Sequence, residues 1–228
     1  MEKAKKLAAE KAALYLKDGM TLGIGTGSTV FYFIEALIKR CREGLRIHAV
    51  SSSLRSMEQA KAGGIPFLDV QKIEKLDLTV DGADAIDLQG RMIKGGGGAL
   101  LREKILAFSS KEMIVIIDES KLVPRLGRQK LPVEILSFGL SATIFHLKQL
   151  GFQGMLRKNQ DGSLYLTDNN NPIYDIHYPS WIDHPEEDHL KLLSIPGVIE
   201  TGFFFNLAKK TLVGYEKGHV EEISYHDL

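Results

Sequence analysis

The segment Gly23-Ile24-Gly25-Thr26-Gly27-Ser28-Thr29 sets three glycines and three hydroxyl side chains between a short apolar stretch and a helical pattern. Glycine lets the backbone approach an anion closely, and the free N–H groups at a helix start point toward it. Thr26, Ser28 and Thr29 add hydroxyl donors. A dinucleotide fingerprint would need a glycine at position 28, where Ser28 stands, and the Gly-Lys-Ser/Thr ending of a Walker A loop is absent. The ligand that suits this loop is a small phosphate ester. A tight turn with Ser28 as the helix N-cap is the competing reading.

Three further clusters could carry chemistry. Asp81-Gly82-Ala83-Asp84-Ala85-Ile86-Asp87 gathers three carboxylates in seven residues. A metal site, hydrogen bonding to sugar hydroxyls, or a solvated acidic turn would each account for them, and EF-hand spacing is not matched. Lys94 precedes Gly95-Gly96-Gly97-Gly98, and Ala99 to Lys104 follows, with Glu103 one to two turns into a helix. Four glycines are entropically expensive. A backbone wrapped round a ligand explains them better than a linker placed inside a domain. Lys94 and Glu103 could still be surface charges. Asp118-Glu119-Ser120-Lys121 follows an apolar run, and Lys121 could reach a bound phosphate or simply belong to a solvated loop. His184 and His189 are five apart, not the four of a helical zinc site, so the acids between Asp183 and His189 read as first-turn helix decoration. Cys41 has no evident base nearby, and no Gly-x-Ser-x-Gly elbow occurs.

The elements that must position these groups alternate along the first 120 residues. Helices are expected over Lys3 to Leu16, Ser28 to Arg40 (with Phe31, Ile34, Leu37 and Ile38 apolar), Leu54 to Ala62 and Ala99 to Phe108. Strands are expected over Thr21 to Ile24, Ile47 to Val50, Pro66 to Val70, Leu76 to Val80 and Met113 to Ile117, with a short one within Arg91 to Lys94. The last long run is almost wholly apolar, as in a strand buried on both faces of a parallel sheet. Alternation of this kind implies an α/β domain. Three of the four clusters follow strands, and ligands of open α/β sheets bind beyond the carboxyl ends of strands.

The pattern changes after Pro124. Leu131 to Ile135, Ser141 to Leu150, Phe152 to Arg157, Pro172 to His177, Pro185 to Leu193 and Gly197 to Glu200 read as β-α-β-β-α-β, the split βαβ arrangement. Leu164 to Leu166 could add a strand. Phe203 to Phe205 and Thr211 to Val213 look strand-like and are expected to rejoin the first sheet. The implied organisation is an α/β domain of 1–126 plus 203–228, with a smaller α+β domain over 127–202.

Composition narrows the class. The 228 residues are 44% hydrophobic and 25% charged, ordinary globular values. Lys+Arg and Asp+Glu each number 29, so a net charge of zero gives no general attraction to nucleic acid or anionic lipid. Cys41 is the one cysteine, so no internal disulfide forms, which fits a reducing compartment. No apolar run approaches ~18 residues, and no secretory leader or membrane partner is expected. A cytoplasmic enzyme or small-molecule binder is the class these features leave.

In order, Gly25-Thr26-Gly27-Ser28-Thr29, Ser51-Ser52-Ser53, Asp81-Gly82-Ala83-Asp84, Lys94 to Lys104, Leu126-Gly127, Leu131-Pro132-Val133-Glu134 and Ile195-Pro196-Gly197-Val198 resemble the ribose-5-phosphate isomerases of the A type. The resemblance covers nearly the whole chain. It implies a nucleotide-binding-like α/β domain, a smaller ferredoxin-like domain, and aldose–ketose isomerisation of a sugar phosphate in the pentose phosphate pathway. It implies no metal and no organic cofactor, and a homodimer or homotetramer. It makes Glu103 the base that moves a proton between C1 and C2 through an enediolate. Such a reaction relocates a carbon-bound proton, so one group must accept and return it.

The resemblance also gives Asp81 and Asp84 the substrate oxygens. Lys94 and the Gly95, Gly96, Gly97 and Gly98 amides serve the developing oxyanion, with a neutral Lys94 base as the competing role. Gly82 and Ala83 line the site. Thr26, Gly27, Ser28, Thr29 and Lys121 bind the phosphate, with Lys5 as a further contact. Asp87 is structural. The chain departs from the family at Glu119, often a small residue there, and at Gly202-Phe203-Phe204-Phe205, where Gly-Leu-Phe is usual. Two rivals stand beside this reading. One is a coenzyme A transferase using Glu103 as a covalent nucleophile, detectable by hydroxylamine trapping. The other is a sugar-phosphate-sensing regulator, which should carry a helix-turn-helix and a basic bias, and the chain has neither.

Overall fold

The computed structural model describes residues 1–225. Its largest sheet has six strands in the order Val220–Ser224, Lys210–Gly214, Met113–Asp118, Leu78–Asp81, Thr21–Ile24 and His48–Ser51. All neighbours run parallel except the edge pair Lys210–Gly214 and Val220–Ser224. Met113–Asp118 is buried at every position. Ile114 and Ile116 face one apolar layer with helical Phe33, Ile34 and Leu37, whereas Met113, Val115 and Ile117 face another with Ile86, Met92 and Phe204. Burial on both faces is why the run does not alternate.

Helix Ser28–Arg42 packs Val30, Phe33, Ile34 and Leu37 inward, each large side chain contributing roughly 1.5–3 kcal/mol. The apolar stripe is therefore centred on these residues, and Phe31, expected inside, is exposed. Pro66 to Val70 does not form the expected strand. Phe67 makes one isolated bridge to Ala49, and the Asp69 carboxylate accepts from the Gln71 N–H and turns the chain into a short 3₁₀ helix.

Lys130–Ile135, Leu140–Gln149, Gly154–Leu156, Ile173–His177, Pro185–Leu193 and Val198–Thr201 follow in the expected β-α-β-β-α-β order. Their four strands pair antiparallel, with Lys130–Ile135 and Ile173–His177 in the centre. Leu164 to Leu166 forms no strand, only isolated bridges from Leu164 to Lys158 and from Leu166 to Pro172.

A third, small sheet was not legible in the sequence. It runs Phe203–Phe204, Met92–Ile93, Ala85–Asp87, Leu122–Val123. The Phe203 to Phe205 stretch thus pairs here and not in the first sheet, which instead receives Lys210–Gly214. The reason is local. Gly202 accepts from the Lys94 N–H at 2.8 Å and donates to the Pro132 carbonyl at 2.7 Å, so the chain is held between Lys94 and the antiparallel sheet. This sheet fixes the backbone that carries Lys94. The architecture is α/β, a largely parallel sheet with an antiparallel α+β companion. Among the described residues no helix is long and apolar enough to cross a membrane.

Candidate active site

Strand order reverses beside Thr21–Ile24: the chain goes first to His48–Ser51 on one side and then to Leu78–Asp81 on the other. Crevices at such switch points are where open α/β sheets bind ligands. Two of the sequence clusters leave the carboxyl ends of these two strands. They are drawn together at Gly25, where a Cβ would stand 2.0 Å from the Asp81 carboxylate. Only glycine lets that carboxylate in. Its Oδ1 then accepts from the Thr26 N–H at 3.0 Å and the Gly82 N–H at 2.7 Å.

The phosphate-type loop opens helix Ser28–Arg42. Gly27, in the left-handed region at φ 124°, is the N-cap, and no side chain caps the helix. Ser28 is therefore not the cap, and its hydroxyl instead accepts from Lys5 Nζ at 2.9 Å. An uncapped first turn of this kind has the dipole and free N–H groups that suit an anion. Thr26 Oγ1 lies 2.8 Å from Ser52 Oγ, within the Ser51-Ser52-Ser53 match. A cleft of about 150 Å³ is lined by Thr26, Gly27, Ser28, Thr29, Gly82, Ala83, Asp84, Lys94, Gly95, Gly96, Gly97, Glu103 and Lys121, together with Lys5 and Asp118. A wider depression of about 730 Å³ adjoins it through Lys5, Thr26, Gly27, Ser28 and Gly97. Lys94 and Glu103 face only the smaller space.

On the cleft floor Lys94 Nζ lies 2.9 Å from Asp81 Oδ2 and 3.3 Å from Glu103 Oε2, and donates to the Gly82 carbonyl at 2.5 Å. All three charged side chains are at most 3% exposed. Asp81 and Glu103 meet the ammonium at ion-pair distance, but these two oxygens have no hydrogen bond of good geometry. Burial pushes the Glu103 carboxyl up to about 8, with the Asp81 charge adding to the rise and Lys94 opposing it. Burial also raises Asp81, against Lys94 and the two N–H donors. Burial alone would lower Lys94, but Asp81 and Glu103 outweigh it and hold the ammonium above the usual lysine range. Lys94 is thus a charged donor, which disfavours the neutral-base role. One ammonium between two carboxylates leaves a proton to be shared, and the set titrates as a unit.

Asp84 sits at the cleft edge and accepts from the Gly96 N–H at 2.7 Å. A Cβ at Gly96 would stand 2.6 Å from Asp84 Oδ1, so the glycine is needed for this close approach. Asp81 is the one expected substrate contact that does not line the cleft. It is fully buried behind Lys94. Among the described residues no group of His, Cys, Asp or Glu is arranged to hold a metal ion.

The remaining candidates lie elsewhere. Asp87 accepts from the Gln89 and Arg91 N–H groups and pairs with Arg91 Nε at 2.7 Å. Glu186, Glu187 and Asp188 occupy the first turn of Pro185–Leu193. Burial raises the Cys41 thiol, which leaves it less reactive. Sequence reasoning missed Phe204, whose ring lies 5.4 Å below Lys94 Nζ, and Arg157, which reaches the glycine loop.

A parallel sheet with a buried carboxylate–ammonium cluster at its switch point is the framework of an α/β enzyme of acid–base chemistry. The chain belongs to the ribose 5-phosphate isomerase A (phosphoriboisomerase A) family, whose sequence profile matches residues 48–218. It is 56% identical over 216 residues to ribose-5-phosphate isomerase A of Protochlamydia amoebophila, covering 95% of this chain and 93% of that one. The solved ribose 5-phosphate isomerase from Plasmodium falciparum aligns with a TM-score of 0.94 at 36% identity, covering 98% of this chain and 99% of that one. A further solved D-ribose-5-phosphate isomerase, in complex with phospho-erythronic acid, gives 0.92 at 35% identity and covers 98% of each chain.

Proposed function

We propose that the chain interconverts D-ribose 5-phosphate and D-ribulose 5-phosphate, with Glu103 moving the proton between C2 and C1 through an enediolate. The observation that carries this is the Lys94 ammonium held between Asp81 and Glu103 at the floor of the cleft onto which helix Ser28–Arg42 opens. A group that must both accept and return a proton works best with a pKa near the working pH, and burial brings Glu103 there. Lys94 and the Gly95–Gly97 backbone supply donors for the oxygen that becomes negative. Asp84, at the cleft edge, carries protons on the sugar oxygens. Asp81 shares that role on the substrate oxygens, and it also fixes the ammonium and the Thr26 loop. Thr26, Gly27, Ser28, Thr29 and Lys121 hold the phosphate, with Lys5 behind Ser28. The phospho-erythronic acid in one relative bears a phosphate and a carboxylate, the two anionic poles such a cleft would receive.

The same reading takes 1–126 plus 203–228 as the catalytic domain and 127–202 as its companion. The last three residues of the first lie outside the described ones. All strands of the parallel and small sheets fall in the first set, and those of the antiparallel sheet in the second. A homodimer or homotetramer in the cytoplasm completes the proposal, and sedimentation velocity reads the assembly directly.

The test of function is conversion of ribose 5-phosphate to ketose, assayed with and without EDTA. Equal conversion in both is expected. No ketose would sink the proposal, and loss with EDTA that a divalent metal restores would reassign Asp81 and Asp84 to a metal. Lys121→Ala and Ser28→Ala should chiefly raise KM, because the phosphate is unchanged through the reaction and uniform binding is lost. Steady-state kinetics showing a fallen kcat at constant KM in both variants would mean the phosphate sits elsewhere.

A further inference from the structure

The four glycines that follow Lys94 have little of their own to hold them in one shape, since glycine loses more backbone freedom on folding than any other residue. One turn bond, from the Gly98 N–H to the Gly95 carbonyl at 3.0 Å, and the Asp84 carboxylate on the Gly96 N–H hold part of the loop, and the antiparallel unit supplies the rest. Arg157, directly after strand Gly154–Leu156, donates through Nη1 to the Gly95 carbonyl at 2.9 Å and to the Gly96 carbonyl at 3.1 Å. The other edge of the guanidinium is spent on Asp175, Nε to Oδ2 at 3.0 Å and Nη2 to Oδ1 at 2.6 Å. Asp175 lies in the adjacent strand Ile173–His177, and the Arg157 N–H donates to the Ile173 carbonyl at 2.8 Å. The ring of Tyr165 lies 5.6 Å from the guanidinium carbon, and its hydroxyl donates to the Gly97 carbonyl at 3.3 Å. The guanidinium is therefore fixed in position and orientation before it meets the loop.

Peptide geometry turns this grip into a catalytic consequence. In a trans peptide the C=O and the N–H of the next residue point in opposite directions. Drawing the Gly95 and Gly96 carbonyls toward Arg157 sends the Gly96 and Gly97 N–H groups the other way. The first of these is seen to reach Asp84 Oδ2 at 2.7 Å, and Gly97 lines the cleft. A cation on the carbonyl side also polarises both peptide units, which strengthens their N–H groups as donors.

We propose that Arg157 is a positioning residue for the isomerisation, holding the Gly95 and Gly96 carbonyls so that the loop's N–H groups face Asp84 and the reacting sugar oxygens. The inference rests on the isomerase reading above. Arg157 touches no substrate in this account and acts through the loop.

The test compares wild type, Arg157→Ala, Arg157→Lys and Asp175→Asn in the full chain. Arg157→Ala should lower kcat by about 10- to 100-fold, the scale on which small misplacements of catalytic groups act. Its KM and its inhibition by inorganic phosphate should stay close to wild type, because the phosphate cradle is built from other elements. Millimolar guanidinium should restore part of the lost kcat in Arg157→Ala and none in Lys94→Ala. Arg157→Lys should not recover, since a point charge cannot span two carbonyls and a carboxylate. Should Arg157→Ala fail to fold, Asp175→Asn keeps the guanidinium but frees it, and a severalfold fall in kcat at unchanged KM is then the expected result. Arg157→Ala with more than half the wild-type kcat, a loss confined to KM, or Asp175→Asn at full kcat overturns the proposal. A wild-type chain that makes no ketose would instead strike the isomerase reading itself, so the two failures are told apart by the control.

Discussion

Glu103→Gln should lose at least about 100-fold in kcat while still binding sugar phosphate, because the amide keeps the shape of the side chain but cannot accept a proton. Retention of more than about a tenth of wild-type kcat would show that another group is the base. Wild-type kcat/KM should rise with pH as the Glu103–Asp81–Lys94 set loses its shared proton, and fall on the acid side. The same variant makes a thermodynamic statement. Glu103 is raised from 4.5 to about 8 in the folded chain, so its contribution favours folding below the unfolded value and is lost as pH rises through the folded one. Between about pH 4.5 and 8 the melting temperature of Glu103→Gln should therefore gain on that of wild type. A difference that stays flat across this window would mean Glu103 titrates normally.

Lys94→Ala should lower kcat and kcat/KM together by about 10²-fold or more, the behaviour of a lost oxyanion donor. The ammonium is buried against two carboxylates and a carbonyl, so its removal also leaves Asp81 and Glu103 without a counter-ion. Breaking a buried pair in this way typically destabilises by about 3–5 kcal/mol. Inhibition by inorganic phosphate separates the two effects. Near-normal phosphate binding with collapsed turnover places Lys94 at the sugar oxygens, whereas lost phosphate binding would place it at the other end of the substrate.

How much of this could be read from residues alone depended on distance along the chain. The Gly25 to Thr29 loop was legible because strand, glycines and helix are contiguous. The acidic loop was visible as a cluster, but its alternatives could not be separated there. Gly25, Lys94 and the Thr26 N–H closing on Asp81, contacts made by tertiary structure, rule out only the solvated turn at that residue. The Asp81–Lys94–Glu103 meeting was implied by family resemblance, not by spacing. The small sheet escaped because strands of two or three residues, such as Met92–Ile93, carry no usable periodicity. Arg157 escaped for a different reason. Its loop partners are 61 and 62 residues away, and nothing in its local sequence marks it.

The central claim is that Glu103 carries a proton between two carbons, and carbon-bound hydrogen exchange reads that step without reference to net turnover. Ribulose 5-phosphate would be incubated with wild type and with Glu103→Gln in D₂O, and deuterium followed at C1 of the ketose and C2 of the aldose by NMR. Wild type should introduce solvent deuterium at these carbons, and Glu103→Gln should leave them unlabelled while still binding the sugar phosphate. Label entering in Glu103→Gln at more than about a tenth of the wild-type rate would contradict the account, since a base is worth at least ~10².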